Sequence, residues 1–270
     1  MGQTLRIATW NINSLRLRLG LLARLVDELK PDVVCLQETK VQDSEFPQGA
    51  AADIGLPHVA YRGMKSYNGV AIFSRHPVTA IADTPDWCGK GDCRHLAVTL
   101  AAPGGAIELH NFYVPAGGDI PDPGSNVKFA HKLQFLDEMQ GYFKTRRTRR
   151  KSIMVGDLNI APLEHDVWSH KQLLKIVSHT PVEVEKLTGI KTAGKWIDAV
   201  RHFVPESEKL FSWWSYRSPD WTRNDRGRRL DHIWVTPDLQ KDLKAARIRR
   251  DMRSWKQPSD HVAVILDLAD

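Results

Sequence analysis

With 270 residues, 42% of them hydrophobic, and a formal net charge of +6, the chain can fill one large α/β domain or two small ones, and no apolar run nears the ~20 residues of a membrane helix. Cys35, Cys88 and Cys93 are the three cysteines; no further ligands stand at the pair spacing of a structural zinc site, so free thiols are expected, with Cys35 in the core. Met1 leads straight into a strand pattern without the basic and apolar regions of a signal peptide, which predicts a cytoplasmic protein.

In chain order, Leu5 to Trp10 alternates as a strand and ends in Asn11 and Asn13. Ser14 stands as an N-cap, and Leu15, Leu19, Leu22, Val26 and Leu29 recur at the spacings of one helix face. Pro31 stops that helix. Asp32 to Leu36 is a second buried strand, ending at Gln37 and Glu38, and this β-α-β unit predicts parallel pairing. A loop with a short helix around Ala50 to Ile54 follows. The segments His58–Arg62, Gly69–Ser74, His95–Ala101 and Ala106–Val114, separated by turn residues, predict antiparallel strands. Ala116 to Ser125 is a loop. Asn126 to Phe143 is a helix with Phe129, Leu133, Leu136 and Phe143 inward.

Ser152 to Pro162 reads SIMVGDLNIAP. Its apolar run predicts a buried strand, and Asp157 and Asn159 stand two apart where the strand ends. Residues 163 to 196 are mostly helical but interrupted. Trp196–His202, Phe211–Trp214, Arg229–Val235, Ala246–Arg250 and Val262–Leu268 are short strands or turns; the last follows Asp260 and His261. Four strand-like segments thus end in polar residues between positions 11 and 261, and they can share a site only if residues 1–270 form a single catalytic domain. Two packed mixed β-sheets flanked by helices, a four-layered α/β sandwich, would bring those ends to one rim.

The polar strand ends are Asn11, Asn13, Glu38, Tyr113, Asp157, Asn159, Asp231, Asp260 and His261. Oxygen donors with one or two carboxylates suit a hard cation, Mg²⁺ or Mn²⁺, better than zinc. No nucleophile-elbow serine and no phosphate-cradling glycine loop is present, which argues against acyl transfer and nucleotide hydrolysis. Metal, carboxylate and histidine together suit phosphodiester hydrolysis.

The segments TWNINSLR, LQETK, NGVAIFSR, GDLNI, RRLDHIW and PSDHVAV resemble, in order and over about residues 5 to 268, those of the exonuclease III family of abasic-site endonucleases, within the endonuclease/exonuclease/phosphatase superfamily. The resemblance implies Glu38 as the principal metal carboxylate with Asn11 beside it, and Asp157, Asn159, Asp260 and His261 as the further candidate ligands. It implies Asp157 as the proton-transfer residue and Asn159 as its support. His261 would contact the scissile phosphate, with Asp231 fixing its tautomer. Asp260 would sit near the metal, and the Tyr113 hydroxyl would reach the phosphate. Where many relatives have an amide after NFYVP this chain has Ala116, and where they often have an aromatic pocket residue it has Arg228, leaving Trp213 and Leu230 as pocket walls.

Of three basic runs, 146–151 reads as a solvated connection, while those at 217–229 and 247–256 are interleaved with aromatics. Trp213, Arg217, Arg223, Arg228 and Leu230 are the candidate DNA contacts. His165, His170 and His179 read as surface histidines. The resemblance implies a divalent-metal-dependent repair nuclease that cuts duplex DNA 5′ to an abasic site, with 3′-5′ exonuclease and 3′-phosphodiesterase activity. It would work as a monomer on abasic or 3′-blocked DNA and away from membranes. A phosphatase of the superfamily and a non-catalytic nucleic-acid-binding regulator on the same fold are the alternatives. The basic balance weighs against the first, and the presence of Glu38, Asp157, Asn159, Asp231 and His261 against the second.

Overall fold

The structure, a computed structural model, describes residues 4–146, 151–218 and 220–269. Its strands are β1 (Thr4–Asn11), β2 (Val33–Gln37), β3 (His58–Met64), β4 (Tyr67–Ser74), β5 (Val78–Ile81), β6 (His95–Ala102), β7 (Gly105–Tyr113), β8 (Ser152–Asp157), β9 (Ile197–Asp198), β10 (Trp213–Trp214), β11 (Gly227–Arg228), β12 (Asp231–Val235), β13 (Leu243–Ile248) and β14 (Val264–Ala269). The α-helices are α1 (Leu15–Leu29), α2 (Gln48–Asp53), α3 (Val127–Thr145), α4 (His170–Leu173), α5 (Pro181–Ala193) and α6 (Trp221–Asn224).

Two six-stranded sheets run β13-β14-β1-β2-β4-β3 and β5-β6-β7-β8-β12-β9, and β10-β11 form a small ribbon. Each large sheet carries one parallel pair at its middle, β1 with β2 and β7 with β8. A helix crosses over within each pair, α1 in the first and α3 in the second, as parallel strands require. All other neighbours are antiparallel.

Alternation along the strands produces the layers. Ile7, Val33 and Cys35 of one sheet pack on Leu109, Ile153 and Val155 of the other, forming the core between the sheets. The intervening residues Ala8, Trp10, Val34 and Leu36 face outward against Leu22, Leu25 and Val26 of α1. On the opposite outer side Phe112 and Met154 meet Phe135, Leu136 and Met139 of α3 and Leu187 and Ile190 of α5. Helix, sheet, sheet and helix make the expected four-layered sandwich. At Gly156 the parallel neighbour comes so near that a Cβ would lie 1.9 Å from the Phe112 carbonyl oxygen, and φ is 137°, so only glycine lets β8 reach Asp157 in this register.

Several local expectations change. The edge strand β5 is absent from the sequence reading because three of its four residues are exposed and carry no inward pattern. Ser14 does not cap α1 through its side chain. Instead the backbone amides of Ser14 and Leu15 donate to the carbonyls of Glu38 and Thr39, so the loop after β2 holds the helix start. In α3, Lys132 and Phe135 are buried while Leu133 is only half-buried. The Lys132 ammonium is admitted because it bonds Glu183 and the carbonyls of Ala116 and Asn159. Cys35 is buried and free, and Cys88 and Cys93 are free and half-buried. In the first basic run Arg146 pairs with Glu108, while Arg147, Arg149 and Arg150 lie outside the described residues. No helix among the described residues is long and apolar enough to cross a membrane.

Candidate active site

The ends of β1, β2, β7, β8 and β12, with the segment before β14, converge on a cleft of about 800 Å³ lined by Glu38, Tyr113, Asp157, Asn159, Asp260 and His261 on its floor. Asn13, Glu38 and Asn159 adopt φ values of 48°, 52° and 53°. For Glu38 in particular this left-handed backbone is an uncommon conformation, held by the surrounding structure where the strand turns its carboxylate into the cleft.

Asn11 ties two carboxylates together, its Nδ2 donating to Glu38 Oε1 and to Asp157 Oδ2, each at 2.9 Å. The Tyr113 hydroxyl donates to Glu38 Oε1 at 2.8 Å, and Lys40 Nζ lies 2.8 Å from Oε2. Asp157 also accepts from the Asn159 amide at 2.9 Å and from its Nδ2 at 3.1 Å. His261 Nε2 lies 3.6 Å from Asp157 Oδ2, and its Nδ1 donates to Asp231 Oδ2 at 2.8 Å. Ser212 donates to that same Asp231 oxygen at 2.6 Å and accepts from the Asp231 amide. Asp260 accepts from Trp213 Nε1 at 2.9 Å and from Asn13 Nδ2 at 3.3 Å.

Charge here is out of balance. Among the described residues, Glu38, Asp157, Asp231 and Asp260 have two cations within 4.0 Å, Lys40 and His261. Burial pushes Asp157 up to about 7 against the pull of His261, with Asp231 and Glu38 adding to the rise. Burial works against protonated His261, but Asp231 and Asp157 outweigh it and raise the imidazole to about 10. Burial likewise opposes the Glu38 charge, yet its bonds from Asn11 and Lys40 hold it below the ordinary carboxylate value.

Asp157, Asp231 and His261 place ligand atoms within 4.8 Å of one another. With Nδ1 given to Asp231, His261 has only Nε2 to offer a cation or a phosphate oxygen. Asn159 spends its Nδ2 on Asp157 and the Val114 carbonyl, and Asp260 is engaged by Trp213 and Asn13. Asn159 keeps its Oδ1, and both carboxylate oxygens of Asp260 keep lone pairs, for a cation. Glu38, ionised and open to the cleft beside Asn11, remains the carboxylate suited to a hard cation.

On the cleft wall stand Trp213, Arg217, Arg226, Arg228 and Leu230. Leu230 is buried, and its carbonyl accepts from Leu158. Arg223 is exposed on α6 and does not line the cleft. Trp214 is core, packed on Trp221 with its Nε1 on Asp225. The run at 247–256 is largely consumed internally: Arg249 pairs with Glu28 and Asp251, Arg250 with Asp225, and Arg253 is buried against the Trp214 carbonyl. His179 is buried rather than on the surface, its Nδ1 donating to the Ala161 carbonyl and its Nε2 meeting His170. Sequence reasoning missed Ser212, Lys40 and Arg18. Arg18 donates to the carbonyls of Ile12, Gln257 and Pro258 and to the Tyr216 hydroxyl, binding the loop after β1 to the segment that leads into Asp260 and His261.

Comparison with known proteins agrees with this arrangement. The model of the endonuclease/exonuclease/phosphatase family matches residues 8–261. Exodeoxyribonuclease III of Haemophilus influenzae is 30% identical, aligned over 96% of this chain and 98% of its own. Among solved structures, an AP endonuclease from Archaeoglobus fulgidus superposes with a TM-score of 0.89 at 31% identity, covering 98% of this chain and 99% of that one. A 3′ phosphatase from Neisseria bound to a product DNA hairpin superposes with a TM-score of 0.89 at 29% identity, covering 98% and 100%. The chain therefore belongs to the endonuclease/exonuclease/phosphatase family, and within it to the nucleases of the exonuclease III type.

Proposed function

We propose that the protein hydrolyses the phosphodiester 5′ to abasic sites in duplex DNA and also clears blocked or surplus 3′ ends, using Mg²⁺ or Mn²⁺. The observation that carries this reading is the pair of carboxylates in the cleft, Glu38 and Asp157, joined by Asn11 and set beside a wall that carries Arg217, Arg226 and Arg228. Its donors are oxygens, and Glu38 with Asn11 would hold the cation. Bound there, a divalent ion would offset charge on the phosphoryl oxygens.

The protein's own groups supply the rest. Asp157, fixed by Asn11 and Asn159, accepts a proton from the attacking water. His261, kept cationic by Asp231, donates from Nε2 to a phosphate oxygen as charge builds there. Ser212 keeps Asp231 turned toward the imidazole. The Tyr113 hydroxyl stays protonated, because burial and the nearby carboxylates push its pKa well up, and can donate to the phosphate. Site residues from Asn11 to His261 act together only if the whole chain works as one catalytic domain, and a monomer suffices because every group named comes from one chain. The reading of 3′-end processing is favoured by the likeness to the Neisseria 3′ phosphatase.

The test is a duplex carrying one abasic analogue, incubated with the protein and Mg²⁺ or Mn²⁺. The expected result is a single nick that leaves a 3′-hydroxyl and disappears in EDTA. Nicking that persists in EDTA, or no nicking with either metal, would overturn the proposal.

A further inference from the structure

Arg228 and Arg229 are adjacent in sequence and opposite in circumstance. Arg229 is answered by Asp166 and Asp198. Arg228 faces the cleft, with its guanidinium 5.3 Å from the centre of the Trp213 ring. Its Nη1 donates to the Val177 carbonyl at 2.9 Å and to Ser178 Oγ at 2.8 Å. Its Nε is buried without a hydrogen-bond partner. Among the described residues no carboxylate pairs with it within 4.0 Å. The anion that acts on it, Glu183, does so from a distance and is already bonded to Lys132. A cation on the cleft wall, held in place by neutral acceptors and paired with no carboxylate, is suited to an anion that arrives with the substrate.

Its position says which anion. Trp213 pairs with Arg228 on one side and bridges to His261 on the other. Arg228 and His261 are therefore two strand spacings apart, roughly 10 Å at the backbone, a span that the long arginine side chain shortens. With a scissile phosphate against His261, the group at Arg228 belongs to the fragment attached to that phosphate.

We propose that Arg228 is a specificity-determining residue that favours 3′ ends whose terminal fragment carries an acidic group over the same ends closed by a neutral one. This rests on the nuclease reading above and names the charge of the fragment its cleft prefers. The chemistry is the same for both kinds of end. Water adds to phosphorus, the bond from phosphorus to the DNA 3′ oxygen breaks, and that oxygen takes a proton the water gives up. The fragment leaves as a phosphate monoester.

The experiment compares two duplexes that differ only at the 3′ terminus, one ending in a phosphate ester of glycolic acid and the other in the matching ester of ethylene glycol. The wild-type protein should favour the acid in kcat/KM by about 10- to 100-fold, the range expected of one hydrogen bond to a charged group. Arg228→Gln should bring the ratio close to one, and Arg228→Lys should restore part of it. If Arg228 merely props residues 177 and 178, both variants will lose rate equally on the two ends and leave the ratio unchanged, which overturns the inference alone. Failure of the wild-type protein to hydrolyse either end overturns the nuclease reading for 3′ termini and this inference with it.

Discussion

Two buried charge clusters lie close together along the chain and are built to opposite rules. Around Arg229, Asp166 accepts from Nε and Nη2, Asp198 accepts from Nη1, and Arg201 adds a third bond to Asp166. Two cations answer two carboxylates. Around His261, among the described residues, four carboxylates have two cations within 4.0 Å, and burial, with Asp231 and Glu38 adding to it, shifts Asp157 up to about 7. Burial of charge is costly in both places. The first cluster removes the cost internally, whereas the second retains a demand for positive charge from outside. Adjacent residues of β12 show the same contrast. Asp231 holds His261 cationic, while His232, buried and near Arg229, is driven down to about 4 with Nε2 on the Ile160 carbonyl. What separates a functional buried cluster from a structural one here is the sum of the charges rather than the residue types.

The largest expected effects break the unbalanced cluster. Asp157→Asn and His261→Ala should each slow cleavage by about 10²–10⁴-fold with little change in thermal midpoint. Binding should separate them. Asp157→Asn removes a negative charge facing the phosphate and should bind abasic duplex as well as wild type or better; His261→Ala should bind more weakly. Asp231→Ala should act as a milder His261→Ala, and the double variant should add little to His261→Ala alone. Fully additive losses would dissolve the pair.

Breaking the balanced cluster should do the reverse. Arg229→Met leaves Asp198 without its cation and Asp166 with Arg201 alone and should cost on the order of 3–5 kcal/mol in urea unfolding, while the molecules that remain folded cut at close to the wild-type rate. A variant that unfolds normally but has lost activity would show that the two clusters are not separate.

His232 sharpens the contrast through pH. Its folded pKa, about 4, lies below the unfolded 6.5, so the unfolded chain takes up the proton first. The stability it contributes is whole above pH 6.5 and is lost as pH falls from 6.5 to about 4, by on the order of 3 kcal/mol. Urea midpoints of His232→Gln should lack that part of the acid-side decline; curves parallel to wild type would rule His232 out as its source.

The smallest effect concerns a cation outside both clusters. Arg217 is exposed on the cleft wall, and Arg217→Ala should lower the salt dependence of duplex binding by about 0.9 log unit of affinity per log unit of salt. An unchanged slope would mean that it meets no phosphate.

What could be read from sequence follows from range. The strand ends bearing Asn11, Glu38, Asp157 and His261 were legible because alternation and the residue that ends it are local signals, and helix α1 because its apolar spacing is. Ser212 was not, since nothing in FSWW distinguishes a serine that will meet a carboxylate 19 residues away. Lys132 reads as a solvated residue until α5 supplies Glu183. Arg249 and Arg253 read as free cations until Glu28 and the Trp214 carbonyl come to them from far along the chain. Buried charge is a property of pairs, and one-dimensional pattern reports single positions.

The register of β1 on β14, from Thr4 opposite Ala269 to Thr9 opposite Val264, has a mechanical consequence. The outer ends of these antiparallel neighbours leave the sheet side by side, at the rim away from Asn11 and His261. Tension applied at Thr4 and Ala269 would load the ladder one hydrogen bond at a time, because those bonds lie across the strands. The sandwich would peel open from that edge at low force, and the last rungs to part would be those next to the cleft.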